Sequence, residues 1–218
     1  MNWLAVREYC SRMTANAVGA TVPVLLSAAV LLTFQTPSYA DLKSDTLAAL
    51  RQHYSNTPTM KGEFLQFGPT GDQSGGEFSI KRPGKVRFDY EDPSPVEVVS
   101  NGLAVMVINK KLKTFDTYPL KNTPLKLLLD DKLDISADSI LDVQVSDDVT
   151  TIVMGDKQIF GNSVITLLFE PETFALRQWT IKDAQGKETS VMVFNVEDNV
   201  NISDREFRIN KFKLKRSN

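Results

Sequence analysis

The side chains that most often perform catalysis are scarce in this chain, which has one histidine, His53, and one cysteine, Cys10. Covalent hydrolysis needs a nucleophile, a base and an acid that orients the base. His53 falls on the polar side of a predicted helix without such partners, and reads as a solvated helix position. Neither a GxSxG turn nor a glycine-rich phosphate loop occurs. With so little histidine and cysteine, a metal site would need carboxylates alone. The run Leu129–Asp134, "LDDKLD", lacks the glycine and terminal glutamate of a calcium loop. Asp147-Asp148 falls at a turn, where aspartate suits the backbone. No enzyme, metal or cofactor is expected.

One charge poses a different question. In Ser79–Tyr90, "SIKRPGKVRFDY", an alternating strand reaches Lys81-Arg82, breaks at Pro83-Gly84 and resumes. On the two-residue period of a strand, Arg82 shares a face with Phe78 and Ile80, while Lys81 takes the other. That parity points Arg82 inward. The alternative is an outward Arg82 beside Lys81, an ordinary edge-strand charge. An inward guanidinium carries five donors and a permanent charge, so it is costly unless several acceptors surround it.

The elements that must place these residues follow from pattern. Residues 41–54 predict a helix with Leu42, Leu47, Leu50 and Tyr54 as its apolar stripe and Asp41 or Ser44 as cap. Pro58 stops it. Strands follow at Met60–Phe67, Glu77–Pro83 and Lys85–Tyr90, with Gly68–Gly76 as a polar, glycine-rich turn. Glu97–Ile108 holds Asn101-Gly102 between two apolar runs, a strong hairpin signal, and Lys113–Leu120 continues the meander. Asn122–Asp131 interrupts as a helix, with Thr123 as N-cap, Pro124 at the first helical position, and Leu125, Leu128 and Leu129 as its stripe. Ile135–Asp142 reads as a second helical turn. Strands resume in "LDVQVS", "TTIVMG", "SVITLLFEP", "ALRQWTIKD" and "TSVMVFNVE". Strands spaced by roughly ten residues and short turns predict an antiparallel sheet curling on itself.

The N-terminus reads as an export signal. Arg7 and Arg12 precede an apolar run, Ala15–Phe34, and Ser38-Tyr39-Ala40 fits a small-x-small cleavage site, giving a signal over 1–40 and a domain over 41–218. An uncleaved anchor helix is the alternative, and Gly19 and Pro23 favour cleavage. Cys10 precedes the apolar run, so it is not the lipidated cysteine of a lipoprotein. The net charge of -2 comes from mixed charges without a basic stripe, which argues against nucleic acid. The basic tail Lys211–Arg216 reads as a solvated end.

Residues Gly75–Asn109 carry the order G-x-F-x-x-K-R-P, an aromatic strand, then V-S-N-G and a further strand. This is similar to the LolA family, periplasmic carriers of outer-membrane lipoproteins. The resemblance extends back to "MKGEFLQF" and forward to "TPLKLLL"; beyond Asp131 it rests on strand pattern. It implies an unclosed antiparallel β-barrel, mainly β with some α, covered by a helical lid. The cavity between would take acyl chains of a lipoprotein. An inner-membrane lipoprotein-releasing ABC transporter would supply the cargo to a periplasmic monomer, and an outer-membrane lipoprotein receptor would accept it. The arginine of the family motif locks the lid, which assigns that role to Arg82, with Thr123 and Pro124 opening the lid helix.

A large barrel needs a filled or ligand-binding interior, and Phe64, Phe78, Ile80, Phe88, Tyr90 and Trp179 are placed to supply it. Leu125, Leu128 and Leu129 need an apolar partner, which the open face of such a sheet provides. A simple core is the alternative for each aromatic. The rival readings are another exported lipid-binding half-barrel (an acceptor or an envelope-stress sensor) and a secreted β-protein with a solid core. An acceptor would carry a lipidated cysteine where this chain has Asp41.

Overall fold

The computed structural model describes residues 39–133, 139–155, 162–208 and 215–216. Residues 1–38 of the predicted signal, 135–138 of the second helical turn and 211–214 of the basic tail lie outside them. The first helix, α1, runs Tyr39–Asn56. Strands β1 (Thr59–Phe67), β2 (Gln73–Lys81), β3 (Lys85–Tyr90), β4 (Val96–Asn101), β5 (Ala104–Asn109) and β6 (Thr114–Pro119) form a meander. A short helix, α2 (Leu125–Leu129), precedes β7 (Ile140–Val145), β8 (Thr150–Gly155), β9 (Val164–Phe169), β10 (Leu176–Lys182), β11 (Glu188–Asp198) and the short β12 (Lys215–Arg216).

All 12 strands form one sheet, in the order β12-β6-β5-β4-β3-β2-β1-β11-β10-β9-β8-β7. Antiparallel pairing of β1 with β11 joins the two meanders, and β12 lies parallel to β6. β7 and β12 occupy opposite ends of that order, so the sheet is unclosed.

The strand period decides which face is buried. In β3, Val86, Phe88 and Tyr90 are buried while Lys85, Arg87 and Asp89 are half-exposed. The buried set joins Phe64, Ile80, Ile165, Leu167 and Trp179 in one core, closed over by Leu50 and Tyr54 of α1 and Leu127, Leu128 and Leu129 of α2. Each large apolar side chain buried this way contributes about 1.5–3 kcal/mol. A smaller core occupies the opposite face. There Val99, Met106 and Ile108 of β4 and β5 pack under Ile202 and Phe207, the latter on a 3-10 turn, Asp204–Phe207.

Several expectations change. Gln73–Gly76 belongs to β2 rather than to a turn, because β3 crowds it: a Cβ on Gly76 would lie 2.0 Å from the Asp89 carbonyl oxygen. Glycine marks that close approach, not a break. Asp41 and Ser44 lie within α1, not at its cap. Thr123 does not cap α2 with its side chain. Its hydroxyl donates back to the Leu120 carbonyl at 2.9 Å, while Pro124 takes helical angles just before Leu125. Ile140–Asp142 is strand, because Val143 of β7 turns to the core.

Candidate functional site

The Pro83-Gly84 corner between β2 and β3 is pinned to both helical segments. The Arg82 amide donates to the Pro58 carbonyl at 2.8 Å, and the Gly84 amide to the Leu129 carbonyl at 2.7 Å. The Gly102 turn crosses directly behind, since a Cβ on Gly84 would stand 2.7 Å from the Gly102 Cα. Gly84 also has φ +76, which only glycine adopts freely. The Ser100 hydroxyl closes the joint by donating to the Gly84 carbonyl at 2.7 Å.

The Arg82 side chain turns to the helix-covered face and is 7% exposed. Its Nη1 donates to the Thr57 carbonyl at 2.6 Å and its Nε to the Leu128 carbonyl at 3.2 Å. The guanidinium carbon lies 3.9 Å from the centre of the Tyr54 ring. The Tyr54 hydroxyl donates to the same Leu128 carbonyl. Burial pushes the Tyr54 phenol above its ordinary pKa, with Arg82 opposing, so it remains a donor. Among the described residues no carboxylate forms an ion pair with Arg82. This cation is held by backbone dipoles and one aromatic face.

Its neighbour Lys81 turns the other way. Lys81 Nζ lies 2.7 Å from Asp204, which Lys85 also reaches at 3.0 Å. Hydrogen bonds from those two lysines hold the Asp204 carboxyl down at about 2. Lys61 and Arg87 complete the cluster, contacting the Glu206 carboxylate at 3.0 Å and the Glu206 carbonyl at 3.0 Å respectively.

The expected cavity residues divide into two groups. Phe64 meets Phe88 and Tyr90 edge-on, at 5.1 and 4.9 Å between ring centres, and Phe88 touches Phe78 and Trp179 at 6.2 and 5.8 Å. Of these, Phe88, Tyr90 and Trp179 border a cavity of about 140 Å³ together with Leu125. Ile80, Leu128 and Leu129 are packed solidly into the core with Phe64 and Phe78. α2 therefore spans the face, with Leu125 beside the cavity and Leu128 beside Arg82.

Arg82 meets the C-terminal end of α2 rather than Thr123 or Pro124. The reason is general: the last carbonyls of a helix lack intrahelical partners, so a cation finds acceptors there and not at the first turn. Tyr54 and Thr57 were not expected at this corner. The legible signal was an aromatic on the helix stripe just before the turn, since a buried cation needs such a face. Gln66 is a further surprise: it lies at an inward position of β1 and accepts from the Tyr90 hydroxyl at 2.7 Å. His53 is half-buried, its ring 6.4 Å from Phe174, rather than solvated.

The chain is similar to several known proteins. The family model described as outer membrane lipoprotein carrier protein LolA matches residues 55–210. The outer-membrane lipoprotein carrier protein of Halorhodospira halophila is 24% identical over 193 residues, covering 84% of this chain and 88% of that one. That of Alkalilimnicola ehrlichii is 36% identical over 74 residues, a match spanning 31% of this chain and only 34% of its relative. Among solved structures, a chain of the Pseudomonas aeruginosa MucA/MucB complex shares 13% identity at a TM-score of 0.45, over 77% of this chain and 61% of that one.

Proposed function

The chain belongs to the LolA family of outer membrane lipoprotein carrier proteins, and we propose that it is an exported, monomeric carrier without enzymatic activity. In this reading residues 1–40 direct export and residues 41–218 act in the periplasm. They take lipoproteins released by an inner-membrane ABC transporter and deliver them to an outer-membrane receptor.

The observation that carries the mechanism is a buried Arg82 whose acceptors are carbonyls of two separate segments, Thr57 after α1 and Leu128 of α2. An acyl chain of roughly sixteen carbons represents about 12 kcal/mol of exposure to water, at about 0.8 kcal/mol per methylene. It cannot cross an aqueous compartment bare. The cavity of about 140 Å³ is smaller than the roughly 300 Å³ at which ordinary ligand sites begin. The leucines of α2 fill the rest, so cargo enters by displacing them. Displacing α2 takes the Leu128 carbonyl from Arg82 and Tyr54 together. A buried donor left unsatisfied costs about 1–3 kcal/mol, and more when charged. Closure of α2 thus competes with the cargo, which is what lets the carrier release it without an energy source of its own.

Expression of the full chain in a bacterium with an outer membrane, followed by mass spectrometry of the purified periplasmic protein, tests the reading. Co-purified acylated protein is expected. A preparation free of lipoprotein and lipid, from cells making both, would point instead to a solid-cored β-protein.

A further inference from the structure

The cavity beside Leu125 has a polar rim that core packing does not require. Its walls include Phe88, Trp179 and Leu125, yet Gln66, Tyr90 and Thr189 also reach it. Gln66 is half-buried and in step with Met60 and Phe64 on the inward side of β1, where its amide needs partners once cargo excludes water. The Tyr90 hydroxyl meets half of that need, donating to Gln66 Oε1 at 2.7 Å. Burial pushes the Tyr90 phenol up to about 12, so it stays a donor at neutral pH. That orients the amide: the oxygen faces Tyr90 and the amino group faces away from it. The amino group of Gln66 and the hydroxyl of Thr189 bond to no other described residue, and neither is a buried unsatisfied atom, so both are open to solvent at the rim. Two donors are thus left at the edge of an apolar cavity.

Resting on the carrier reading, we propose that Gln66, held by Tyr90 and joined by Thr189, is a seat for the carbonyl that links an acyl chain to its amide or ester. When a chain is seated in the aromatic cavity, its carbonyl oxygen at the rim gives up water and needs a donor. The Gln66 amino group supplies one at the rim. The preferred ligand class is therefore a carbonyl-linked acyl chain rather than a bare alkyl chain. Gln66 here is a specificity residue, distinct from Arg82, which sits at the other end of α2.

Fluorescence titration of the purified protein with matched synthetic lipopeptides tests this. Three probes carry the same hexadecyl-length chain through an amide, an ester or an ether. Wild type should bind the amide or ester probe roughly five-fold tighter than the ether, the ratio set by a hydrogen bond worth about 1 kcal/mol. Which carbonyl probe binds tighter identifies the linkage. Gln66→Glu keeps the acceptor for Tyr90 but has no amino donor, so its acyl-to-ether ratio should fall to about one; Gln66→Leu should do the same. Equal binding of all three probes by wild type overturns the seat alone, as does an unchanged ratio in Gln66→Glu. Failure of wild type to bind any probe overturns the seat and the carrier reading together.

Discussion

Lys81 and Arg82 are chain neighbours with the same charge, and they meet opposite chemistry. Lys81 reaches a carboxylate at 2.7 Å in a half-exposed cluster on the outer side of the sheet. Arg82 is buried on the helix-covered side, where its acceptors are neutral carbonyls of two separate segments. The outer pairs depend on Asp204 and Glu206 of a turn that is itself anchored by Ile202 and Phe207. None of them involves α2. The inner cation has both of its acceptors only while α2 holds the Leu128 carbonyl against it. The end of β2 and the turn after it thus carry a tie independent of α2 on one face and a tie to α2 on the other.

The comparison breaks first at the aromatic residues. Tyr54→Ala removes the ring under Arg82 and a buried side chain, and should cost about 3–5 kcal/mol in urea unfolding. Phe207→Ala on the opposite face should cost a similar about 3–5 kcal/mol. The two should part in lipopeptide affinity: Phe207→Ala leaves it unchanged, whereas Tyr54→Ala alters it by loosening α2. Equal effects on affinity would erase the distinction between the faces. Tyr54→Phe is milder, because it keeps the ring and removes only the donor to Leu128; a loss of about 1 kcal/mol is expected.

The smallest effect is electrostatic. Asp204 has a folded pKa of about 2, below the roughly 3.9 of an unfolded aspartate. Its depressed carboxyl contributes stability that is present above about pH 4 and is lost as pH falls towards about 2. Thermal melts should show wild type losing ground on Asp204→Asn across that window, by a small margin since the pair is exposed. Among the described residues no carboxylate pairs with Arg82, so the acid should leave the inner tie alone. A sharp change in lipopeptide affinity that follows Asp204 would link the faces after all.

Much of this was readable from residue order. The period-two alternation in "MKGEFLQF" and "KVRFDY" placed those strands, and the parity of Phe78, Ile80 and Arg82 set the inward direction of the guanidinium. Its acceptors were not readable, because backbone carbonyls have no signature in sequence and those of Thr57 and Leu128 come together only through the fold. The outer core was hidden for another reason. Ile202 and Phe207 flank the polar "SDRE", so they show no period, and only the packing over Val99 and Met106 reveals them. Gly75 and Gly76 misled in the opposite direction, their composition suggesting a turn where β1 crowds Gly75 and β3 crowds Gly76. Gln66 stood in plain sight as a polar residue at an inward strand position, and its meaning depended on Tyr90 from another strand.

The tie to α2 is tested most directly by separating loading from handover. Arg82→Leu and Lys81→Met would each be charged with a purified lipoprotein and then offered to an acceptor membrane carrying the receptor. Arg82→Leu should load at least as well as wild type and retain its cargo, while Lys81→Met should transfer normally. Normal transfer by loaded Arg82→Leu would contradict the account, because release would then owe nothing to the buried cation.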